Sequence, residues 1–356
     1  MTIAYERLHH QRLAANQLDQ PAAVVQWLGA VQAQDYAGAK WSIGMRLRAA
    51  TDDDVEQAFD QGALLRTHLL RPTWHFVVPE DIHWLLALTA PRVHALNAPY
   101  YRKLGLDDAL YGRIVDVLTA ALRDGKQLTR DELRRMFDQA GIATAGALRM
   151  SYMLMRAELD GILCSGPRSG KQFTYMLLKA RVPQARQLTR EAALAELARR
   201  YFLSRGPATV HDFAKWSGLT VADARAGLEA VKSDLRHKQV EGQTYWLPAT
   251  TEATGTGAPQ VYLLSIYDEY LSGYKERSAV IDPDHSARLV ALGNDLTAVV
   301  VIDGLVVGVW KRRLSSHGVV ISVTPFRPLS QEEREAVALA AERYGAFLQL
   351  PVSLEV

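Results

Sequence analysis

The sequence has only one cysteine among its 356 residues, Cys164. A single cysteine excludes a disulfide framework within the chain and a metal site built from several thiolates, and it is typical of a reducing compartment. We expect this side chain to be a small, buried apolar group.

Long apolar runs are also missing. No uninterrupted apolar stretch approaches the roughly 20 residues that span a bilayer, and residues 1–7 contain no apolar core of signal-peptide length. We therefore expect a soluble, cytoplasmic protein without a membrane partner. With 48% hydrophobic residues, the chain can bury a large core, divided over two or more domains.

Several motifs that mark catalytic or cofactor sites are absent. Residues 166–171 end in Gly-Lys but lack the spacing of a phosphate-binding loop and its following Ser or Thr. No dinucleotide fingerprint follows a strand, and there is no Gly-x-Ser-x-Gly elbow. His9 and His10 have no partner at metal-ligand spacing. The sequence predicts neither a metal nor a cofactor.

The excess of positive over negative side chains is small over the whole chain but concentrated in one region. The net charge is +2, yet residues 121–210 hold 16 Lys or Arg against 8 Asp or Glu, a local excess of +8 that leaves −6 for the remainder. This asymmetry indicates a polyanion-binding face in the middle of the chain. The alternative is a solvated helical surface.

A pattern of helices followed by two short strands recurs three times. In the clearest copy, Thr129 and Glu132 predict a capping box at the start of a helix. A second helix over 147–159 and a hairpin over 161–177 follow. This is the order of a winged-helix module, in which the second helix is offered to a nucleic-acid groove.

The other copies are predicted from shorter patterns. The first has a helix over 52–61 and strands over 64–69 and 73–78; the third has helices over 210–217 and 221–230 and strands over 235–240 and 244–247. A linker-like run at 249–259 precedes strands at 261–265, 298–302, 306–311 and 319–323 and a helix at 331–347. Asp303-Gly304 between two apolar runs predicts a hairpin turn.

These patterns predict an α+β fold. Three tandem winged-helix modules are expected at residues 1–105, 106–185 and 186–250, followed by a small β-rich C-terminal domain, a partial barrel, at 251–356.

The tripeptide Gln32-Ala33-Gln34 ends an apolar helical run at residues 22–31. Residues two apart do not share a helix face, so these amides converge only where the helix breaks or in a cleft. Glutamine is neutral at every pH and offers both a donor and an acceptor, so it can position a water or stabilise a developing positive charge. The alternative is a helix end with two solvated glutamines, and Asp35 is either a helper or the cap of the next segment.

Two further segments combine polar and aromatic residues. In residues 66–76, alternation along the first strand places Arg66 and His68 on the same face of that strand. Alternation along the second strand likewise places Thr73 and His75 on the same face of theirs. This hairpin either contacts DNA or lines a cleft, or it is a half-buried sheet whose polar face meets solvent. Residues 267–278 join carboxylates, aromatics and cations, and the alternative there is an ion-pair cluster that stabilises a loop.

Together, residues 32–35, 71–76 and 267–278 resemble the winged-helix DNA glycosylases of the AlkZ/YcaQ superfamily in order and approximate spacing. The resemblance covers nearly the whole chain, and the motif matches the superfamily's Gln-x-Gln branch rather than its Gln-x-Asp branch. It implies base excision repair of alkylation damage, with Gln32 and Gln34 as the catalytic residues. The implied substrates are cationic N-alkylated purines: N7-alkylguanine, N3-alkyladenine, bulky adducts and interstrand crosslinks, the last linked with antibiotic self-resistance.

The implied enzyme is a monofunctional DNA N-glycosylase, because the motif contains no lysine nucleophile. Its partner is double-stranded DNA, and we expect a monomer associated with the nucleoid. The predicted DNA-binding residues are Arg66, His68, Arg71, Thr73, His75, Arg149, Arg156, Arg168, Lys171, Lys275 and Arg277. The rival hypothesis is a non-catalytic winged-helix DNA-binding regulator or lesion sensor.

Overall fold

The structure, a computed structural model, describes residues 2–14, 18–146, 148–250, 258–294 and 296–356. The predicted helix start at Ala147 and most of the predicted linker at 249–259 lie outside these ranges.

The helices are α1 Ile3–His10, α2 Pro21–Leu28, α3 Tyr36–Gly44, α4 Asp52–Asp60, α5 Ile82–Lys103, α6 Asp108–Ala121, α7 Arg130–Gln139, α8 Arg149–Leu159, α9 Leu178–Arg181, α10 Arg190–Arg205, α11 Val210–Ser217, α12 Val221–Val231, α13 Glu269–Ser272, α14 Pro283–Ala291 and α15 Gln331–Leu348. The strands are β1 Val31–Gln32, β2 Leu65–Leu69, β3 Thr73–Val77, β4 Leu128–Thr129, β5 Leu163–Ser169, β6 Gln172–Leu177, β7 Leu235–Val240, β8 Gln243–Pro248, β9 Val261–Leu264, β10 Val299–Ile302, β11 Leu305–Ser315, β12 Gly318–Pro325 and β13 Val352–Glu355. The fold is a mixed α+β fold, as predicted.

The described residues divide into two compact units. Unit 1 comprises Met1–Glu56, Ala195–Trp216 and Thr220–Val356, and unit 2 comprises Gln57–Leu194 and Ser217–Leu219. The predicted division into four consecutive modules stays a prediction.

Unit 2 contains the clearest helix-helix-hairpin copy. The Thr129 side chain accepts from the Glu132 amide at the start of α7, and the Glu132 carboxylate accepts from the Thr129 amide at 2.7 Å, which confirms the capping box. Strands β5 and β6 pair antiparallel, with Cys164 opposite Met176. Cys164 is fully buried, as predicted, and this burial raises the pKa of its thiol to about 12.

Unit 1 contains a sheet in which, among the described residues, five strands follow the order β13-β12-β11-β10-β9. The β12–β13 pair is parallel and the others are antiparallel. The predicted turn between β10 and β11 is confirmed, because Asp303 and Gly304 both have positive φ, 50° and 87°. Strand β11 extends four residues beyond its predicted end at Lys311, and β13 and α14 were not predicted.

An aromatic cluster attaches α3 to this sheet and to α15. The Trp41 ring centroid lies 4.9 Å from that of Tyr344 and 5.1 Å from that of Phe347. The Trp41 indole nitrogen donates to the Leu263 carbonyl of β9 at 2.7 Å. At Gly44 the approach is so close that an added Cβ would lie 2.4 Å from Phe347. These contacts anchor α3, which begins two residues after Gln34.

In the described ranges, no helix is both long and apolar enough to cross a membrane. Over the same ranges, no group of three or more His, Cys, Asp or Glu side chains is arranged to hold a metal ion.

Candidate active site

The Gln32-Ala33-Gln34 segment lies between two helices rather than at the end of one. Helix α2 stops at Leu28, not at Val31 as predicted, because Gly29 adopts a φ of +76° and ends the helix. The chain then becomes extended as β1. The helix break required for the two amides to converge is therefore present.

The two glutamines differ in environment. Gln32 is 9% exposed, whereas Gln34 is exposed in the bend that follows β1. Asp35 caps α3, since its Oδ1 accepts from the Gly38 amide at 2.6 Å. Of the two roles that the sequence leaves open for Asp35, the structure shows the cap, and the helper role stays a prediction. The segment thus offers one buried and one accessible amide directly before a fixed helix.

Glu269 lies behind the segment and is fully buried. Its Oε1 accepts from the Gln32 backbone amide at 3.0 Å. Its Oε2 accepts from Arg205 Nη2 at 2.6 Å and from the indole nitrogen of Trp216 at 2.9 Å. Glu269 therefore joins α10, α11 and α13 to the backbone of the candidate catalytic segment.

Asp268, the preceding residue, belongs to a separate buried ion pair. Its Oδ1 accepts from Arg46 Nη2 at 2.9 Å, and its Oδ2 accepts from the Ser42 hydroxyl at 2.6 Å. Arg46 Nη2 also donates to the side chain of Gln11 at 2.8 Å. This pair ties α13 to α3 and to the chain after α1.

Tyr274 of the 267–278 segment is also an internal support. The Tyr274 hydroxyl donates to the Arg205 carbonyl at 2.7 Å, and burial raises the pKa of Tyr274, which keeps that donor protonated. The Arg7 guanidinium lies 3.6 Å from the centre of the Tyr274 ring. Residues 268–274 are thus part of a buried, long-range network, whereas Glu276 and Ser278 are exposed and joined by a local bond. Lys275 is exposed and Arg277 is half-buried.

The predicted DNA-binding hairpin, β2–β3 in unit 2, is mostly inaccessible. Arg66 and His68 are each 4% exposed and His75 is fully buried, whereas Arg71 and Thr73 are half-buried. The alternative of a polar face that meets solvent is therefore wrong for Arg66, His68 and His75, and their predicted DNA contacts stay predictions.

Specific partners account for this burial. The Arg66 guanidinium lies 4.4 Å from the Trp74 ring centre and 4.3 Å from that of Phe173. The ring of His68 lies 4.3 Å from that of Trp74, and its Nδ1 contacts the buried carboxylate of Glu158. The structure also brings Arg168 of the second hairpin to the Phe173 ring, at 5.2 Å.

The two arginines predicted to face a nucleic-acid groove from α8 make internal contacts. Arg149 donates to the carbonyls of Leu104 and, at 2.8 Å, of Ala143. Arg156 Nη2 donates to Asp108 at 2.7 Å, and its guanidinium covers the Tyr111 ring at 3.8 Å. A phosphate contact by either side chain requires exchange of these bonds. Lys171, at the tip of the β5–β6 hairpin, is exposed.

Arg205 and Trp216 were not among the predicted site residues. Arg205 ends α10 and is fully buried, but in the sequence it looks like a solvated cation in the last turn of a helix. Its partner Glu269 lies 64 positions away, so no local pattern signals the pair.

Comparisons with known proteins place the chain in a family and a fold. A family model described as DNA glycosylase AlkZ-like matches residues 25–347. The chain is 29% identical over 363 positions to a Streptomyces sahachiroi protein called "Interstrand DNA cross-link repair glycosylase", covering 94% of each. The solved structure of Streptomyces sahachiroi DNA glycosylase AlkZ matches with a TM-score of 0.80 at 24% identity, covering 99% of this chain and 98% of that one. At that identity the structural likeness concerns the fold.

Proposed function

Because this chain belongs to the AlkZ-like DNA glycosylase family, we propose that it is a DNA repair glycosylase that hydrolyses the N-glycosidic bond of cationic N-alkylated purines. The observation that carries the proposal is the Gln32-Ala33-Gln34 segment. It lies outside any helix. Gln34 is exposed, and the backbone N–H of Gln32 donates to the buried carboxylate of Glu269.

The chemistry suits neutral amides. Alkylation at N7 of guanine or N3 of adenine places positive charge on the base, so the base leaves without a general acid. In the reaction, the bond between C1′ and the base nitrogen breaks and its electron pair passes to the base. A water oxygen bonds to C1′ and releases a proton to solvent. The sugar gains oxocarbenium character on the way, and preorganised amide carbonyls stabilise that charge and orient the water.

The first test replaces the amides. Gln32→Ala and Gln34→Ala should each reduce the single-turnover rate of base release from a duplex containing N7-methylguanine by about 10²–10³-fold, the range for loss of one preorganised group. DNA affinity should change little, because neutral amides add little to phosphate binding. Parental rates in both variants would exclude this mechanism.

The second test concerns the choice of lesion. Cationic N7- and N3-alkylpurines should be released, whereas uracil and 8-oxoguanine should not, because these neutral bases need a proton donor to leave. The panel should include a bulky N7 adduct and an N7–N7 interstrand crosslink, since the Streptomyces sahachiroi relative is named for crosslink repair. Efficient uracil release would contradict the proposal.

The same panel separates catalysis from simple recognition. A DNA-binding regulator or lesion sensor would retain DNA affinity but release no base. We propose a monofunctional enzyme, so the expected product is an intact abasic strand, which is cleaved only after alkali treatment.

The proposed DNA contacts rest on the helix-helix-hairpin units, which we infer to act as winged helices ahead of a partial barrel. Among the cations predicted from the sequence, Lys171 and Lys275 are exposed and suited to phosphate contact without loss of an internal bond. We propose that the protein engages duplex DNA as a monomer.

A further inference from the structure

We propose that Glu269 and Arg205 are positioning residues, which set the backbone of the Gln32-Ala33-Gln34 segment from behind. The inference rests on the proposed function for its catalytic consequence. The contacts themselves are independent of it.

The pair binds the backbone that leads into the segment, and the first residue of the segment itself. Arg205 Nη1 donates to the Leu28 carbonyl at 2.7 Å and Nη2 to the Ala30 carbonyl at 3.2 Å. Glu269 Oε1 accepts from the amide of Gln32 at 3.0 Å. These groups run from the end of α2 at Leu28 to β1 at Gln32. The pair therefore bonds the backbone on both sides of the turn at Gly29, through which the chain passes from the helix into the segment.

Both side chains are held by further contacts. Each is fully buried, and their charged groups lie 2.6 Å apart. The Arg205 guanidinium lies 4.3 Å from the Trp216 ring centre, and the Trp216 indole nitrogen binds Glu269 Oε2 at 2.9 Å. A planar guanidinium donates several hydrogen bonds in fixed directions, and a carboxylate accepts several. The pair can therefore hold the Leu28 and Ala30 carbonyls and the Gln32 backbone N–H at the same time.

The bond to Glu269 holds the peptide group that precedes Gln32, and this limits the directions that the Gln32 side chain can take. Because only Ala33 separates the two glutamines, the same bond limits where Gln34 can lie. A catalytic group displaced by about 1 Å can lose roughly 10² in rate. Neither Glu269 nor Arg205 needs to touch the substrate, so their effect should appear in the rate of base release and not in DNA binding.

The chain provides a matched control in the adjacent residue. Asp268 and Arg46 form a second buried ion pair, with exposures of 1% and 0%. It binds Ser42 and Gln11 instead of residues 28–32. Asp268→Asn and Glu269→Gln therefore remove the same kind of charge from adjacent positions, the N-cap and the first residue of α13.

The experiment compares these two variants of the full chain. At a temperature where both are folded by circular dichroism, Glu269→Gln should lower the single-turnover rate on N7-methylguanine duplex by ~100-fold, with Kd for DNA within about threefold. Asp268→Asn should stay within about fivefold in rate. Hydrogen exchange of the Gln32 amide should accelerate in Glu269→Gln alone. Equal rate losses in both variants, or unchanged exchange at Gln32, would overturn the proposal.

If Glu269→Gln does not fold, a second pair of variants tests the proposal. Arg205→Lys keeps the positive charge opposite Glu269 but removes the forked donors to the Leu28 and Ala30 carbonyls, and Arg46→Lys is its control. A selective rate loss in Arg205→Lys supports the proposal, and equal losses refute it. If the parental protein releases no base, the proposed function fails, and exchange at Gln32 alone decides whether the pair sets the segment.

Discussion

At the scale of single residues, the two glutamines differ in their surroundings. Gln32 is buried and anchored through its backbone, whereas Gln34 is exposed. An exposed position accepts a carboxylate without the desolvation cost of a buried charge. A carboxylate at position 34 would also stabilise a cationic transition state.

Gln34→Asp should therefore retain base release but acquire a new pH dependence. The rate should fall as pH drops through the pKa of the new carboxyl group, about 4 for an unperturbed Asp and higher beside the carboxylate of Asp35. The parental amide does not titrate, so its rate should not show this step. Single-turnover rates between pH 4 and 8, with Gln34→Asn as the uncharged control, check the prediction. A flat profile for the Asp variant would contradict it.

Residue-scale predictions from the sequence succeeded where the cause is local. The burial of Cys164 follows from its side-chain type, and the Asp35 cap was one of two alternatives that the neighbouring residues left open. The burial of His68 does not, because its partner Glu158 lies 90 positions away. Arg66 alternates as a strand residue should, but the rings of Trp74 and Phe173 that cover it could not be placed from the sequence.

At the scale of elements, two hairpins of unit 1 share one turn geometry but differ in surroundings. Glu241-Gly242 joins β7 to β8 and Asp303-Gly304 joins β10 to β11, and all four residues have positive φ. A Cβ on Gly242 meets nothing within 4 Å, whereas a Cβ on Gly304 would lie 2.8 Å from the backbone of Ala4.

Gly304→Ala should destabilise the protein more than Gly242→Ala. Gly242→Ala adds only the left-handed backbone strain, about 1–2 kcal/mol. Gly304→Ala adds a clash with α1 as well, so we expect an additional cost on the order of 1–3 kcal/mol, as for overpacking. Urea unfolding of both variants measures the difference. Equal midpoints with equal slopes would mean that the close approach of α1 carries no energetic weight.

Elements with strong local signals were predicted closely, namely the capping box of α7, the β5–β6 hairpin, α11 and α15. Helix α5 was not predicted, because Pro91 and Pro99 interrupt its sequence and normally indicate helix ends. Strand β13 is only four residues long and pairs in parallel with β12, so its partner is set by the tertiary fold and not by a turn signal.

At the scale of the whole molecule, the charge excess of residues 121–210, which includes the exposed Lys171, and the exposed Lys275 outside that range predict salt-dependent DNA binding. Lys171→Ala and Lys275→Ala should each reduce the slope of log K against log salt by roughly 1 if each lysine neutralises one phosphate. Arg48→Ala is the control, because this exposed cation is paired with Asp19 at 2.7 Å and was not predicted to bind DNA. Fluorescence anisotropy over a range of salt concentrations measures the slopes. An unchanged slope in both lysine variants would place the DNA contacts elsewhere.

Unit 1 is built from separate segments of the chain, and this has a consequence for synthesis on the ribosome. Residues 57–194 of unit 2 are continuous, whereas unit 1 joins Met1–Glu56 to segments that begin at Ala195. Since a nascent chain emerges from its N-terminus, Gln32 and Gln34 leave the ribosome long before Arg205, Trp216 and Glu269. Residues 57–194 can collapse in the meantime. The order of translation thus delays the bond between the Gln32 backbone and Glu269 until Glu269 emerges, and under the proposed mechanism a partly made chain would lack the positioned glutamines.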